Sequence, residues 1–328
     1  MAKPTLEDLR REIDAIDDQI HDLLLKRWET VRHVAAAKGV EPKAKAPTKG
    51  APKTAAKRAS RGATKKSPRD VAIRPAREAA MLRRLAARHR GPFPFAALAR
   101  MWHEMIAAFT MLQARYSIAV YANGKEHTLW DLARDQFGSQ VPMSPYPTQR
   151  DTLAQLFEQR HEVAVLHMPR EGEEDPWWIG LAGADAPKVI MRIPFAGVGS
   201  VRGPMQDALA VGHLKLEPTG SDRTLIVVET NQPLSRTGLK AILQRAELSP
   251  RFTASAHRDN AYYHLIELGD FIEQDDPRLD LIDVRDAVSR VSIIGAYAQV
   301  LGPEDGAIDG ALDAEQGDTP DIDVSEEK

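Results

Sequence analysis

The sequence has 328 residues, 43% of them hydrophobic, and a formal net charge of -3 at pH 7. This length is enough for two or three domains of roughly 100–150 residues each. The chain has no cysteine, which excludes disulfides and thiolate metal sites and fits a reducing compartment. No apolar signal-peptide core opens the chain, and no stretch approaches the ~20 apolar residues of a membrane helix, so we expect a cytoplasmic protein.

The first predicted element is one long helix over residues 5–38. Thr5 followed by Asp8 is typical of a capping box at its start. Apolar residues then recur at alternating spacings of three and four, which indicates a heptad-like stripe: Leu6, Leu9, Ile13, Ile16, Ile20 and Leu23.

Residues 40–70 carry no periodic apolar face. From Pro42 to Arg69 there are ten basic residues and no acidic one, which predicts a disordered, solvated insertion. Contact with a polyanion is the alternative, because basic tracts release counterions from phosphates. No aromatic residue is interleaved for base stacking, so we do not expect nucleic-acid binding.

Helical patterning resumes after the insertion. A helix is predicted over residues 75–89, and the Gly91–Pro94 segment ends it. A third helix runs to about Tyr116, with apolar residues on one stripe from Leu98 to Leu112. Residues 1–116 therefore form a predicted all-helical domain, made of a long helix, the insertion, a short helix and a second long helix.

After Tyr116 the pattern changes to alternating strands and helices, which predicts an α/β region in a multidomain chain. We divide it into domains at residues 117–220 and 221–301, with a final helix over Asp283–Ala298. The remaining residues, 302–328, carry ten acidic side chains and no apolar periodicity. They are predicted to be a disordered acidic tail.

Three cations on the first helix are candidates for binding an anion. Arg27 and Lys38 are eleven residues apart, which places them nearly on one face with Cα atoms about 16 Å apart. Arg10 lies about 25 Å before Arg27 and on another face. It therefore cannot reach the same small ligand within one chain, but it could do so from a partner chain whose first helix runs antiparallel.

These cations belong to an ordered set of short motifs. The set resembles the all-helical chorismate mutase family, and the resemblance covers about residues 5–115 apart from the insertion. Its pieces are Leu9-Arg10-Arg11-Glu12-Ile13-Asp14-Ala15-Ile16-Asp17, Leu24-Leu25-Lys26-Arg27, Ala37-Lys38-Gly39, Arg74-Pro75-Ala76-Arg77-Glu78 and Leu112-Gln113.

The resemblance implies an intertwined homodimer that rearranges chorismate to prephenate, in phenylalanine and tyrosine synthesis, without a metal or cofactor. By position, Arg10, Arg27 and Arg77 would bind the substrate. Lys38 and Gln113 would donate to the ether oxygen, and Glu78 would accept from the ring hydroxyl. Two positions depart from the family: Arg74 stands where an acidic residue is common, and Phe109 where a small hydroxylated residue is common.

The order of the remaining regions resembles the bifunctional chorismate mutase–prephenate dehydratase layout. Residues 117–220 are interpreted as a degenerate dehydratase-like domain and 221–301 as an ACT-like domain. The family's Thr-Arg-Phe signature is absent, so no dehydratase activity is assigned. The alternative function is a non-catalytic ligand-sensing or interaction protein, built on a mutase-like dimer and an ACT-like module. The scattered histidines have no metal-ligand spacing.

Overall fold

A computed structural model describes residues 3–37, 72–124, 128–196, 207–282 and 288–302. The predicted insertion at residues 40–70 lies outside these ranges, as do Lys38 and the acidic tail beyond Gly302. The chain has an N-terminal helical region followed by a C-terminal α/β region, as the sequence predicts. The strands described in the α/β region form one large mixed sheet. No helix in the described ranges combines the length and apolarity that a bilayer crossing requires.

The described part of the N-terminal region contains three helices: α1 (Leu6–Ala37), α2 (Pro75–Arg88) and α3 (Phe95–Gln113). The predicted capping box begins α1. The Thr5 N–H donates to the Asp8 carboxylate at 3.0 Å, and the Asp8 N–H donates to the Thr5 hydroxyl at 3.2 Å. This reciprocal pair satisfies two amide groups that the helix itself leaves without partners.

Most of α1 is exposed. Ala35 is the one buried residue of this helix, and the contacts that α1 makes lie in its second half. Its apolar stripe is open to solvent, with Leu6 65% exposed and Leu23 64% exposed. A helix with an uncovered apolar stripe of this length is typical of a surface that another chain covers.

The first half of the sheet is built from β1 (Ile118–Tyr121), β2 (Met143–Tyr146), β3 (Val163–His167), β4 (Lys188–Ile193) and β5 (Ala208–Gly212). Strand β1 pairs in parallel with β2 and β3, and β5 pairs antiparallel with β3 and β4. Helices α4 (Thr128–Phe137) and α5 (Gln149–Phe157) connect the parallel strands. The apolar runs of β1 and β3 are fully buried, as expected for strands covered on both faces.

The second half contains β6 (Asp222–Thr230), α6 (Arg236–Arg245), β7 (Pro250–Arg258), β8 (Ala261–Leu268), α7 (Pro277–Asp280) and β9 (Val288–Ala298). The strand order β9-β6-β8-β7, with antiparallel neighbours, is a ferredoxin-like βαββαβ arrangement. Asp259 and Asn260 join β7 to β8 with φ values of 50° and 63°. Positive φ at both central residues suits the tight turn of a hairpin.

Both halves join into one sheet of order β2-β1-β3-β5-β4-β9-β6-β8-β7. The junction is the parallel contact of β4 with β9, at Val189 and Gly295. A Cβ added at Gly295 would clash with the backbone and the Cβ of Val189. Glycine is therefore required for the backbones to approach this closely.

The predicted final helix over Asp283–Ala298 is wrong. The part from Val288 to Ala298 is strand β9, and residues 283–287 lie outside the described ranges. Val288, Val291, Ile293 and Ile294 are β-branched, which favours a strand. Pairing with β6 along the length of β9 then overrides the helical periodicity. Sequence patterning also missed β2, β5 and β7.

The helical region packs against the sheet through α2. Ala79, Leu82 and Ala86 of α2 form one core with Phe195 and Leu301. Beside this core, the Arg83 guanidinium donates to the carbonyls of Thr219 at 3.2 Å, Ser221 at 2.7 Å and Gln299 at 2.9 Å. Apolar burial and charge-assisted hydrogen bonds thus fix α2 to the sheet.

Candidate active site

A cavity of about 440 Å³ lies between α1, α2 and α3. This volume is in the range of pockets that bind small molecules. Its wall residues recur at helical spacings, which place them on one face of each helix. Four predicted site residues lie in this wall: Arg27, Arg77, Glu78 and Gln113. Its other residues include Thr30, Val31, Val34, Ala35, Arg74, Met81, Ile106, Phe109 and Thr110.

Arg27 is half-buried on α1 and faces the cavity. Its Nη1 atom is buried and has no hydrogen-bond partner among the described residues. Burial lowers the pKa of Arg27, and the like charge of Arg77 lowers it further. A buried guanidinium N–H without an acceptor is costly. An anionic ligand in the cavity would supply this acceptor and relieve the repulsion between the two arginines.

Aromatic rings support Arg27. Its Cζ atom lies 4.8 Å from the centroid of the Phe109 ring. Phe109 also stacks with Trp28, with ring centroids 5.8 Å apart and planes inclined by 17°. Both contacts join α1 to α3.

Glu78 is half-buried on α2, where it lines the cavity and also a smaller one, of about 70 Å³, between α2 and the sheet. Burial raises the pKa of Glu78 to about 8. Burial therefore favours the protonated carboxyl, which can both donate and accept a hydrogen bond. Either property suits a ligand hydroxyl.

The remaining predicted residues differ in how the structure places them. Gln113 lies in the cavity wall, where its Nε2 donates one N–H to the Phe109 carbonyl at 3.2 Å, which leaves the amide a second N–H donor. Arg77 lies in the wall and is exposed. Arg10 is exposed and does not line the cavity. Lys38 lies outside the described residues.

Two cavity residues, Thr30 and Thr110, were not predicted from the sequence, and neither was Trp28, which stacks behind the wall on Phe109. Phe109, noted in the sequence as a departure from a family pattern, does lie in the cavity wall. It lies four residues before Gln113, which places both on one face of α3. The stacking of Trp28 on Phe109 depends on the angle at which α1 crosses α3, and no sequence motif predicts that crossing angle.

Fold and site together define a protein with an all-helical region around a cationic cavity, followed by an α/β region. Residues 9–114 match the family model of chorismate mutase type II. The N-terminal region is thus similar to that family, which confirms the resemblance seen in the sequence. No curated protein matches the chain.

Among solved structures, three similar chains have TM-scores near 0.4. A prephenate dehydratase from Streptococcus mutans is 12% identical, with a TM-score of 0.39, and the match covers 56% of this chain and 98% of that one. A prephenate dehydratase from Arthrobacter aurescens in complex with L-Phe is 11% identical, with a TM-score of 0.41, covering 58% and 94%. GqqA, described as a novel type of quorum-quenching acylase, is 16% identical, with a TM-score of 0.42, covering 57% and 96%. The domain boundaries at residues 116, 220 and 301 stay predictions.

Proposed function

We propose that the helical region is a chorismate mutase that converts chorismate to prephenate. The observation that carries this proposal is the meeting of Arg27, Arg77, Glu78 and Gln113 in one cavity, with Arg27 Nη1 buried and lacking a partner among the described residues. Chorismate is a dicarboxylate, and guanidinium groups bind carboxylates through paired N–H donors. The match of residues 9–114 to chorismate mutase type II supports the same conclusion.

The reaction requires a protein only to position the substrate and to stabilise charge. A C–O bond breaks and a C–C bond forms within one molecule, so no proton, electron or second substrate is exchanged. The protein must hold the compact conformer and stabilise negative charge developing on the ether oxygen. In our proposal, Arg27 and Arg77 hold the carboxylates, and Gln113 and Lys38 donate to the ether oxygen. Glu78 bonds the ring hydroxyl.

The proposed active unit is a homodimer. Helix α1 has 32 residues, which makes it roughly 48 Å long, and its apolar stripe is exposed from Leu6 to Leu25. We propose that a second copy of α1 covers this stripe in an antiparallel arrangement. Arg10 of the partner would then reach the cavity that contains Arg27.

The proposal is tested by following the ultraviolet absorbance of chorismate with purified protein. The wild type should consume chorismate and form prephenate, and Arg27→Ala should lower kcat/KM by roughly 10- to 150-fold, as expected for a lost charged hydrogen bond. Arg32→Ala is the matched control, because Arg32 is exposed on the same helix and outside the cavity wall.

Wild-type protein that leaves chorismate unchanged would contradict the proposed activity. If that protein still bound chorismate, with an affinity that depends on Arg27, the helical region would instead be a ligand-sensing module. Equal loss of activity in Arg27→Ala and Arg32→Ala would show that the cavity is not the site.

A further inference from the structure

In the cavity between α1, α2 and α3, Arg27 contacts an aromatic ring that takes no part in the proposed reaction. Arg27 lies over the ring of Phe109, with the guanidinium carbon 4.8 Å from the ring centroid. The same ring stacks with Trp28 at 5.8 Å. An arginine above an aromatic face is attracted by the negative potential of the ring.

We propose that Phe109 is a positioning residue, whose ring fixes the Arg27 guanidinium so that its N–H groups are presented to a carboxylate of the substrate. This inference rests on the proposed function for the identity of that substrate. It assigns a role to an apolar residue at a position where the sequence departs from its family.

Within the described residues, the charged group that acts on Arg27 is Arg77, which repels it. An acidic partner would fix the side chain, but it would also occupy the N–H groups that a ligand carboxylate needs. A ring contacts the flat face of the guanidinium and leaves the donors in its plane free. Arg27 Nη1 is buried and has no hydrogen-bond partner in the described ranges, as expected if the ring holds the guanidinium and the N–H donors remain free.

The Phe109 ring is itself held by a second aromatic contact. Trp28 stacks with it in a nearly parallel arrangement. Because α1 buries little beyond Ala35, these aromatic contacts also fix the distance of α1 from α3. A guanidinium ordered in advance loses less freedom when the ligand binds, which strengthens binding.

The test compares substitutions that separate the ring face from its bulk. Phe109→Leu keeps an apolar side chain without a ring, Phe109→Tyr keeps the ring, and Phe109→Ser opens the cavity. We expect KM for chorismate to rise roughly 2- to 30-fold in the Leu and Ser variants, and to stay near the wild-type value in the Tyr variant. The change in kcat should be smaller. Phe93→Leu is the control, since Phe93 is 51% exposed outside the cavity.

A second measurement does not depend on turnover. Calorimetric titration with cis-cyclohexane-1,3-dicarboxylate should show the same ranking of affinities. In a double-mutant cycle, Phe109→Leu should weaken binding little further once Arg27→Gln has removed the guanidinium. If Phe109→Leu fails to fold, as judged by circular dichroism, Phe109→Met makes the same comparison.

The outcomes distinguish this inference from the proposed function. An active wild type whose KM is unchanged in Phe109→Leu would overturn the positioning role and leave the mutase proposal intact. A Phe109→Ser variant with higher kcat/KM than the wild type would show that the ring obstructs the site. A wild type that does not convert chorismate, but binds the dicarboxylate in a Phe109-dependent way, would overturn the activity and retain the positioning role.

Discussion

At the scale of single residues, the Glu78 carboxyl couples protonation to folding. Burial raises its pKa to about 8 in the folded chain, whereas an unfolded glutamate titrates near 4.3. Between these two values the folded state therefore binds more protons than the unfolded state. The stability that Glu78 contributes is fully present below the unfolded pKa, near 4.3. It falls as pH rises from there toward the folded pKa of about 8.

We therefore expect Glu78→Gln to change how stability depends on pH. Glutamine keeps the size of the side chain and does not ionise, so the variant should gain stability relative to the wild type as pH rises from about 5 to about 9. Urea denaturation at several pH values measures the difference. Glu12→Gln is the control, because Glu12 is exposed on α1. A constant difference between Glu78→Gln and the wild type across this range would contradict the raised pKa.

At the scale of elements, α1 carries residues that one chain cannot bring together. Arg10 and Arg27 are about 25 Å apart along the helix, and Arg10 does not line the cavity formed by its own chain. In our proposal a partner chain covers the exposed stripe of α1, where Leu6, Ile13 and Leu23 are each more than half exposed. An antiparallel second α1 would both bury this stripe and deliver Arg10 to the other cavity.

Complementation between two inactive variants tests this arrangement. Arg10→Ala and Arg27→Ala should each have low activity. Mixed under conditions that allow subunit exchange, they should recover part of it, because one composite cavity in the heterodimer contains both arginines. Chorismate consumption measures the recovery, and a mixture of Arg10→Ala with itself is the control. Exchange that is demonstrated by mass spectrometry, yet restores nothing, would mean that Arg10 does not complete a partner's site.

At the scale of the whole molecule, α2 links the cavity to the sheet. One turn of this helix carries Arg77 and Glu78 into the cavity wall, and the next turns bury Leu82 and bring Arg83 to three carbonyls of the α/β region. The shape of the cavity therefore depends on how the two regions dock.

Arg83→Ala should weaken this docking. Loss of its charge-assisted hydrogen bonds is expected to lower the free energy of unfolding by about 2 kcal/mol. Arg84→Ala is the matched control, because the neighbouring arginine is exposed and a surface substitution of this kind usually changes stability by less than about 0.5 kcal/mol. Urea denaturation of both variants gives the comparison, and equal stabilities would show that Arg83 does not hold the two regions together.

Much of the helical region was determined by the sequence alone. The Thr5–Asp8 box and the spacing of Leu6 through Leu23 located the start of α1 within a residue, and Pro75 marked the start of α2. Helices are specified by contacts three and four residues apart, so local patterning is enough. The short motifs on those helices also identified Arg27, Arg77, Glu78 and Gln113, which meet in one cavity.

Only the tertiary structure decided the rest. The sequence predicts a helix at β9 because its apolar residues fit the spacing of a helix as well as that of a strand. Its extended conformation depends on pairing with β6 and on the close approach of Gly295 to Val189. Likewise, the contact of Arg27 with Phe109 and the raised pKa of Glu78 follow from how α1, α2 and α3 pack. Sheet pairing, burial and ring contacts join residues that are far apart in the chain. Local sequence patterns therefore cannot predict them.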